Sequence, residues 1–152
     1  MAFNLHGLRA IGEEEIKKLL LQEGKQLERI AKHTWQKYLD SYHPIEYIRT
    51  GASMKAIKLG RIERLSSLEY GIRLEFVDDL SYHDSVIRGG DQGHAIMLIS
   101  DGWKATQGRQ AKVYRFGYYE GFQYIEQVLK AYEQSKPDLV QIQFHWNGAY
   151  TR

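Results

Sequence analysis

The stretch LSYHDSVIRGGDQGH, Leu80 to His94, packs two histidines, two aspartates and three glycines into fifteen positions. Three outcomes are open to it: a metal site, an acid/base pair on a loop, or a loop ordered by its turns with no chemistry. A metal site needs three or more ligands that a helix or hairpin can converge, as His-x-x-x-His does. The six histidines fall at positions 6, 33, 43, 83, 94 and 145, none closer than ten residues to the next. His83, Asp84, Asp91 and His94 could therefore meet only if the loop folded back on itself. Such a set would suit a small metal-dependent nuclease or hydrolase. A metal-free variant would use His83 with Arg49 or Lys55 as acid and base.

Other chemistries lack their local context. Ser85 and Ser100 do not sit in a G-x-S-x-G turn, so neither is presented as a hydrolase nucleophile. GGDQGH has no lysine and follows no buried parallel strand, which a phosphate loop requires. The absence of cysteine excludes disulfides, zinc-thiolate sites and thiol catalysis. The structural reading of the stretch is the stronger one. Gly89, Gly90 and Gly93 permit sharp reversals, Asp84 and Asp91 can cap turns, and His83 can tie the loop to the backbone.

The elements around this stretch read as a single α+β domain over residues 1–152. Apolar residues Ile16, Leu19, Leu20, Leu27, Ile30, Ala31, Trp35 and Tyr38 recur at helical spacing behind Glu13–Glu15. They predict a helix over 13–40, roughly 40 Å long at ~1.5 Å per residue, with Pro44 closing off the segment. That length suggests either an overhang past the core or burial on a neighbouring subunit. Residues 52–59 read as a short helix or an irregular strand. Tyr70, Ile72, Leu74 and Phe76 alternate with Glu69, Gly71, Arg73 and Glu75, the period of a half-buried strand ended by Asp78-Asp79. Ala95–Ile99 reads as a short buried element with Gly102 as its cap, and 103–117 as an exposed loop. A second amphipathic helix is expected from Tyr118 to about Ser135, followed by a strand through Val140, Ile142 and Phe144. The expected architecture is a long N-terminal helix on a small, mainly antiparallel sheet, with a second helix and a C-terminal strand.

Composition narrows the partners. A formal charge of +2 on 152 residues is too small to imply nucleic-acid or membrane binding by itself. One local excess, Arg49, Lys55, Lys58, Arg61 and Arg64 against Glu63, reads as a solvated or interfacial face; as a nucleic-acid track it would bind with strong salt dependence. The longest strongly apolar run, Ala95–Ile99, falls far short of the ~20 residues of a membrane span. MAFNLHGLRAIGEEE lacks the pattern of a secretion signal, so a soluble chain kept inside the producing cell is expected. Eleven tyrosines and three tryptophans suit either a surface buried on association or an aromatic core.

Four segments, in order, resemble those of one family. YHPIEYIRTGASMKAI carries Tyr42, Pro44, Tyr47, Arg49, Thr50 and Gly51 in the pattern Y-x-P-x-x-Y-x-R-T-G-x-L, with Met54 or Ala52 where the family often has leucine. Phe76, Asp78, Leu80, Tyr82, His83, Ser85 and Gly89-Gly90 follow F-x-D-x-L-x-Y-H-x-S and its glycine-rich loop. Leu98, Ile99, Gly102 and Trp103 match L-I-x-x-G-W, and Tyr119 to Glu126 match Y-E-G-x-x-Y-I-E. Over residues 42–146 the chain resembles the neck and minor-tail (tail-completion, head–tail connector) proteins of long-tailed bacteriophages. It departs from them in the longer 103–117 loop and the HWNGAYTR tail. The resemblance implies a non-enzymatic virion component without cofactor, assembled in the bacterial cytoplasm. It implies a six- or twelve-fold ring of identical subunits between the portal or head-completion protein and the tail tube or tail terminator. DNA would pass through as cargo, and no membrane would be involved. Under that implication Arg49 braces a carboxylate through a bidentate pair, and Arg49→Lys weakens assembly while sparing the fold.

Overall fold

The computed structural model describes residues 1–8, 12–41, 51–84, 92–104, 118–135 and 140–146. Strand β1 (Ala2–Leu8) leads into helix α1 (Glu13–Asp40). Helix α2 (Ala52–Ala56) runs directly into β2 (Ile57–Arg64), and β3 (Glu69–Phe76) returns beside it. Helix α3 (Asp78–Ser81) precedes the short ladder of β4 (Tyr82–Asp84) and β5 (Gln92–His94). Helix α4 (Ala95–Asp101), the two-residue pair β6 (Trp103–Lys104) and β7 (Tyr118–Tyr119), helix α5 (Tyr124–Ser135) and strand β8 (Val140–His145) complete the order.

The main sheet has the strand order β2-β3-β1-β8, antiparallel throughout. Its register separates two faces. Phe3, Leu5, Ile72, Leu74, Phe76, Ile142 and Phe144 lie on the helix-covered face, with the Phe3 ring tilted against Phe76 at 5.8 Å and Phe144 at 5.1 Å between centroids. Asn4, His6, Arg73, Glu75, Gln141, Gln143 and His145 share the other face. Arg73 ties that face together, donating from Nε to Asn4 Oδ1 at 3.3 Å and from Nη1 to Glu75 Oε1 at 3.4 Å. Exposed pairs of this kind contribute little, about 0–1 kcal/mol each.

Helix α1 begins and ends as its residues dictate. The carbonyl of Gly12 accepts from Ile16 N at 3.1 Å, Glu13 pairs with Lys17 at 2.8 Å, and Ser41 turns both its N–H and its hydroxyl onto Tyr38 O. Gly24, mid-helix, is explained by packing. A Cβ there would sit 2.9 Å from Leu59 Cδ1 and 3.1 Å from Ile72 Cδ1, so glycine lets α1 lie close against β2 and β3.

The helix does not overhang. Its buried positions run from Ile16 through Leu20, Glu23, Leu27, Ala31 and Trp35 to Tyr38. The N-terminal half lies on the sheet, and the C-terminal half is enclosed by α2 and α5. Trp35 shows this best. Its indole Nε1 donates to Ser53 Oγ of α2 at 3.0 Å, and its ring meets Tyr124 of α5 edge-on at 5.3 Å. The length that suggested a neighbouring subunit is consumed within one chain.

Three expected elements differ in detail. Residues 52–59 are helix and then strand, since Ile57 already pairs with Phe76. Asp78-Asp79 opens α3 rather than merely ending β3. The second helix starts at Tyr124, not Tyr118, because Gly121 (φ 91°) and Gln123 (φ 54°) are left-handed.

Candidate functional site

Within the Leu80–His94 stretch, Tyr82–Asp84 and Gln92–His94 form a narrow antiparallel ladder whose register sets Tyr82 across from His94 and His83 across from Gly93. His94 is wholly buried. It stands at the N-cap of α4, where its Nδ1 accepts the Met97 N–H at 3.2 Å. An accepting Nδ1 carries a lone pair, which assigns the ring proton to Nε2. Tyr82 and Trp146 meet the imidazole edge-on, each with centroids 5.0 Å away and interplanar angles of 83° and 74°. His94 thus joins β4, α4 and the end of β8. Its place and bonding are those of a core histidine. Among the described residues no three His, Asp or Glu side chains converge as a metal set would. Ser85 and Asp91 lie outside the described residues, as do the glycines at 89 and 90.

Of the residues carried by the resemblance, Tyr42, Pro44, Tyr47, Arg49 and Thr50 lie outside the described residues. Gly51 is described: it is the exposed N-cap of α2 in the left-handed region (φ 72°). Gly102 caps α4 at φ 84°, its N–H bonded to Leu98 O at 2.8 Å, as a glycine cap should be. Trp103 begins β6, opposite Tyr119.

The Tyr119–Glu126 and Leu98–Trp103 segments are one structural unit. The two N–H groups preceding α5 bond the last carbonyls of α4, Phe122 N to Ile99 O at 2.7 Å and Gln123 N to Ser100 O at 2.9 Å. Ser100 Oγ, itself buried, accepts from Ile125 N at 3.2 Å and so caps the first turn of α5 from another helix. Gly121 makes this possible. A Cβ there would fall 2.6 Å from Ser100 O and 2.8 Å from Gly102 N. Spacing alone could not reveal this junction, because each half looks like an ordinary helix end.

Two further groups escaped the reading of the sequence. Glu23, on the core stripe of α1, is buried and accepts from the Tyr132 hydroxyl at 2.8 Å. Tyr124, fully buried, donates to Ala31 O at 3.0 Å. Burial raises both tyrosine pKa values well above the ordinary phenol range, and the Glu23 carboxylate adds to the effect at Tyr132. Tyr38, Tyr70, Tyr124 and Tyr132 are all core residues, so these tyrosines serve the interior rather than a surface.

Two open depressions of roughly 550 Å³ mark the surface. One, at the end of the polar sheet face, is lined by Asn4, Arg73, Glu75, Asp78 and His145 among others. The other runs along the free edge of β2, where Glu28 and Lys32 of α1, Lys55 of α2 and Lys58 of β2 surround Ile57, Leu59 and Leu80. Among the described residues neither brings a nucleophile, base and oxyanion donor together. No helix among the described residues is long and apolar enough to cross a membrane.

The fold is that of an α+β protein, with its helices on one face of a four-stranded antiparallel sheet and its other face polar. Comparisons with protein-family models, curated proteins and solved structures returned no match.

Proposed function

We propose that this chain is a structural subunit of the phage head–tail junction, a neck or tail-completion protein that assembles as a ring between the portal or head-completion protein and the tail tube. The reading is carried by the four ordered segments between Tyr42 and Trp146, whose pattern resembles that of the family. The packing supports it in one respect. Gly102, Gly121 and Tyr82 within those segments are fold-determining: two cap or dock helices and one packs the buried imidazole. Residues with such roles describe a scaffold, and a scaffold of this kind is suited to assembly. DNA is cargo in this reading, and the subunit needs no cofactor.

The hydrolase reading would recruit His94 with His83, Asp84 and Asp91. His94 is instead committed to the α4 amide at Nδ1 and enclosed by Tyr82 and Trp146, which favours the structural role. Detection of the subunit at the head–tail junction in density maps of intact particles is the deciding experiment. Particles without it there, or purified protein that cleaves nucleic acid at a rate abolished by His83→Ala, would overturn the proposal.

A further inference from the structure

We infer that the chain binds a second copy of itself through two oppositely charged flanks, the basic edge of β2 meeting the acidic outer side of α5. The choice of a second copy rests on the ring reading above and on charge complementarity between the flanks.

The two flanks lie at opposite ends of the sheet. β2 and β8 are its edge strands, about 14 Å apart at the ~4.8 Å strand spacing. On the β2 side, Lys55, Lys58, Arg61 and Arg64 are exposed, with Glu63 the only carboxylate in that run. Lys32 completes the depression and is neutralised by Glu28 at 2.6 Å. Among the described residues neither Lys55 nor Lys58 has an ion-pair partner. At the β8 end, α5 packs on β8 and α1, burying Tyr124, Ile125, Val128 and Tyr132 and leaving Glu126, Lys130 and Glu133 exposed. Glu120, also exposed, precedes the same helix.

The character of the β2 edge selects the mode of contact. Its pairing with β3 is interrupted by a bulge between Leu59 and Ile62, and its cations stand along the strand. Bulges and edge lysines discourage the addition of another strand. Contact is therefore made by side chains: the apolar floor of Ile57, Leu59 and Leu80 excludes water while the surrounding lysines meet carboxylates. Because the two flanks differ, the contact is heterologous. Repeated, it generates a ring or a filament rather than an isolated pair.

The test uses three proteins: the wild-type chain, Lys55→Glu/Lys58→Glu/Arg61→Glu, and Glu120→Lys/Glu126→Lys/Glu133→Lys. All six positions are exposed, and the corresponding Gln substitutions serve if a reversal disturbs the helical circular dichroism. Sedimentation velocity at low ionic strength should show concentration-dependent association of wild type. That association should weaken at least tenfold as salt rises from ~0.1 M to ~1 M, where the screening length shrinks from ~10 Å to ~3 Å. Each reversed variant alone should fail to associate. An equimolar mixture of the two should regain association, because in alternation every acidic flank meets a basic one. A wild-type chain that stays monomeric, variants that associate like wild type, or a mixture that does not recover would each overturn the inference. Presence of the subunit in particles is a separate measurement. If the mixture recovers but particles lack the chain, the docking flanks stand and the neck assignment falls.

Discussion

The hydroxyl of Tyr132 on α5 donates to Glu23 Oε2 on α1 at 2.8 Å, within the buried contact of the two helices. Eight residues earlier on α5, Tyr124 donates to the carbonyl of Ala31, eight residues later on α1. Equal steps in opposite directions, ~12 Å on each helix, fix an antiparallel register by two hydrogen bonds. Ridge packing alone would tolerate neighbouring registers. These two bonds select one.

Tyr132→Phe should therefore lower stability by about 1–3 kcal/mol, since the Glu23 carboxylate keeps its burial and loses a donor. Adding Glu23→Gln should return part of that loss, because the buried charge is gone. Urea unfolding of the two single variants and the double variant reads the coupling directly; additive losses would show that the pair is not coupled.

Alkaline pH should destabilise the fold more steeply than ordinary exposed tyrosines would allow. The folded pKa values of Tyr124 and Tyr132 are raised, so the folded state holds both protons more tightly than the unfolded chain. Their contribution is complete below the unfolded phenol value of ~10 and is lost as pH rises above it, by about 1.4 kcal/mol per pH unit for each tyrosine. Denaturant midpoints at pH 8 and pH 11 test this. Tyr124→Phe, which cannot ionise there, should flatten the slope.

Gly121→Ala should cost at least ~2 kcal/mol. It combines a left-handed backbone (φ 91°) with a Cβ 2.6 Å from a backbone carbonyl, and backbone cannot yield as a flexible side chain would. Gly51→Ala is the control: it shares a positive φ of 72° but meets no atom of the described residues within 4 Å, so the conformational cost of ~1 kcal/mol is what it adds. Thermal unfolding of the two variants should rank them in that order.

His94→Ala should remove both the α4 cap and the ring between Tyr82 and Trp146, a loss of about 2–4 kcal/mol. His94→Asn keeps an acceptor at the N-cap and should recover the capping part, ~1 kcal/mol. Equal melting temperatures for the two variants would mean that the cap contributes nothing.

Much of the architecture is legible in the amino-acid sequence. The helix over 13–40 and the inward set Tyr70, Ile72, Leu74 and Phe76 follow from periodicity, which is a property of neighbours along the chain. Strand β1 was not legible in this way. AFNLHGL offers Phe3 and Leu5 as its two alternating large apolar positions before a glycine, and it becomes a strand because β3 and β8 flank it on both sides. The start of α5 departs from the periodicity for a related reason: the apolar stripe extends upstream to Phe122, but the bonds from residues 122 and 123 to α4 hold the chain out of helix until Tyr124.

The side chains that looked most like chemistry divided along the same line. Sequence alone determined that there is no cysteine, that the histidines are scattered, and that helix and strand faces carry enough apolar residues for one α+β core. Only tertiary structure decided that His94 is a buried cap, that Glu23 belongs to a tyrosine rather than to solvent, and that the cations of β2 and the carboxylates of α5 lie on opposite flanks. The reason is physical. Periodicity is set by the backbone geometry of consecutive residues, whereas a side chain's hydrogen-bond partner, burial and field come from residues distant in sequence, here as many as 109 positions away.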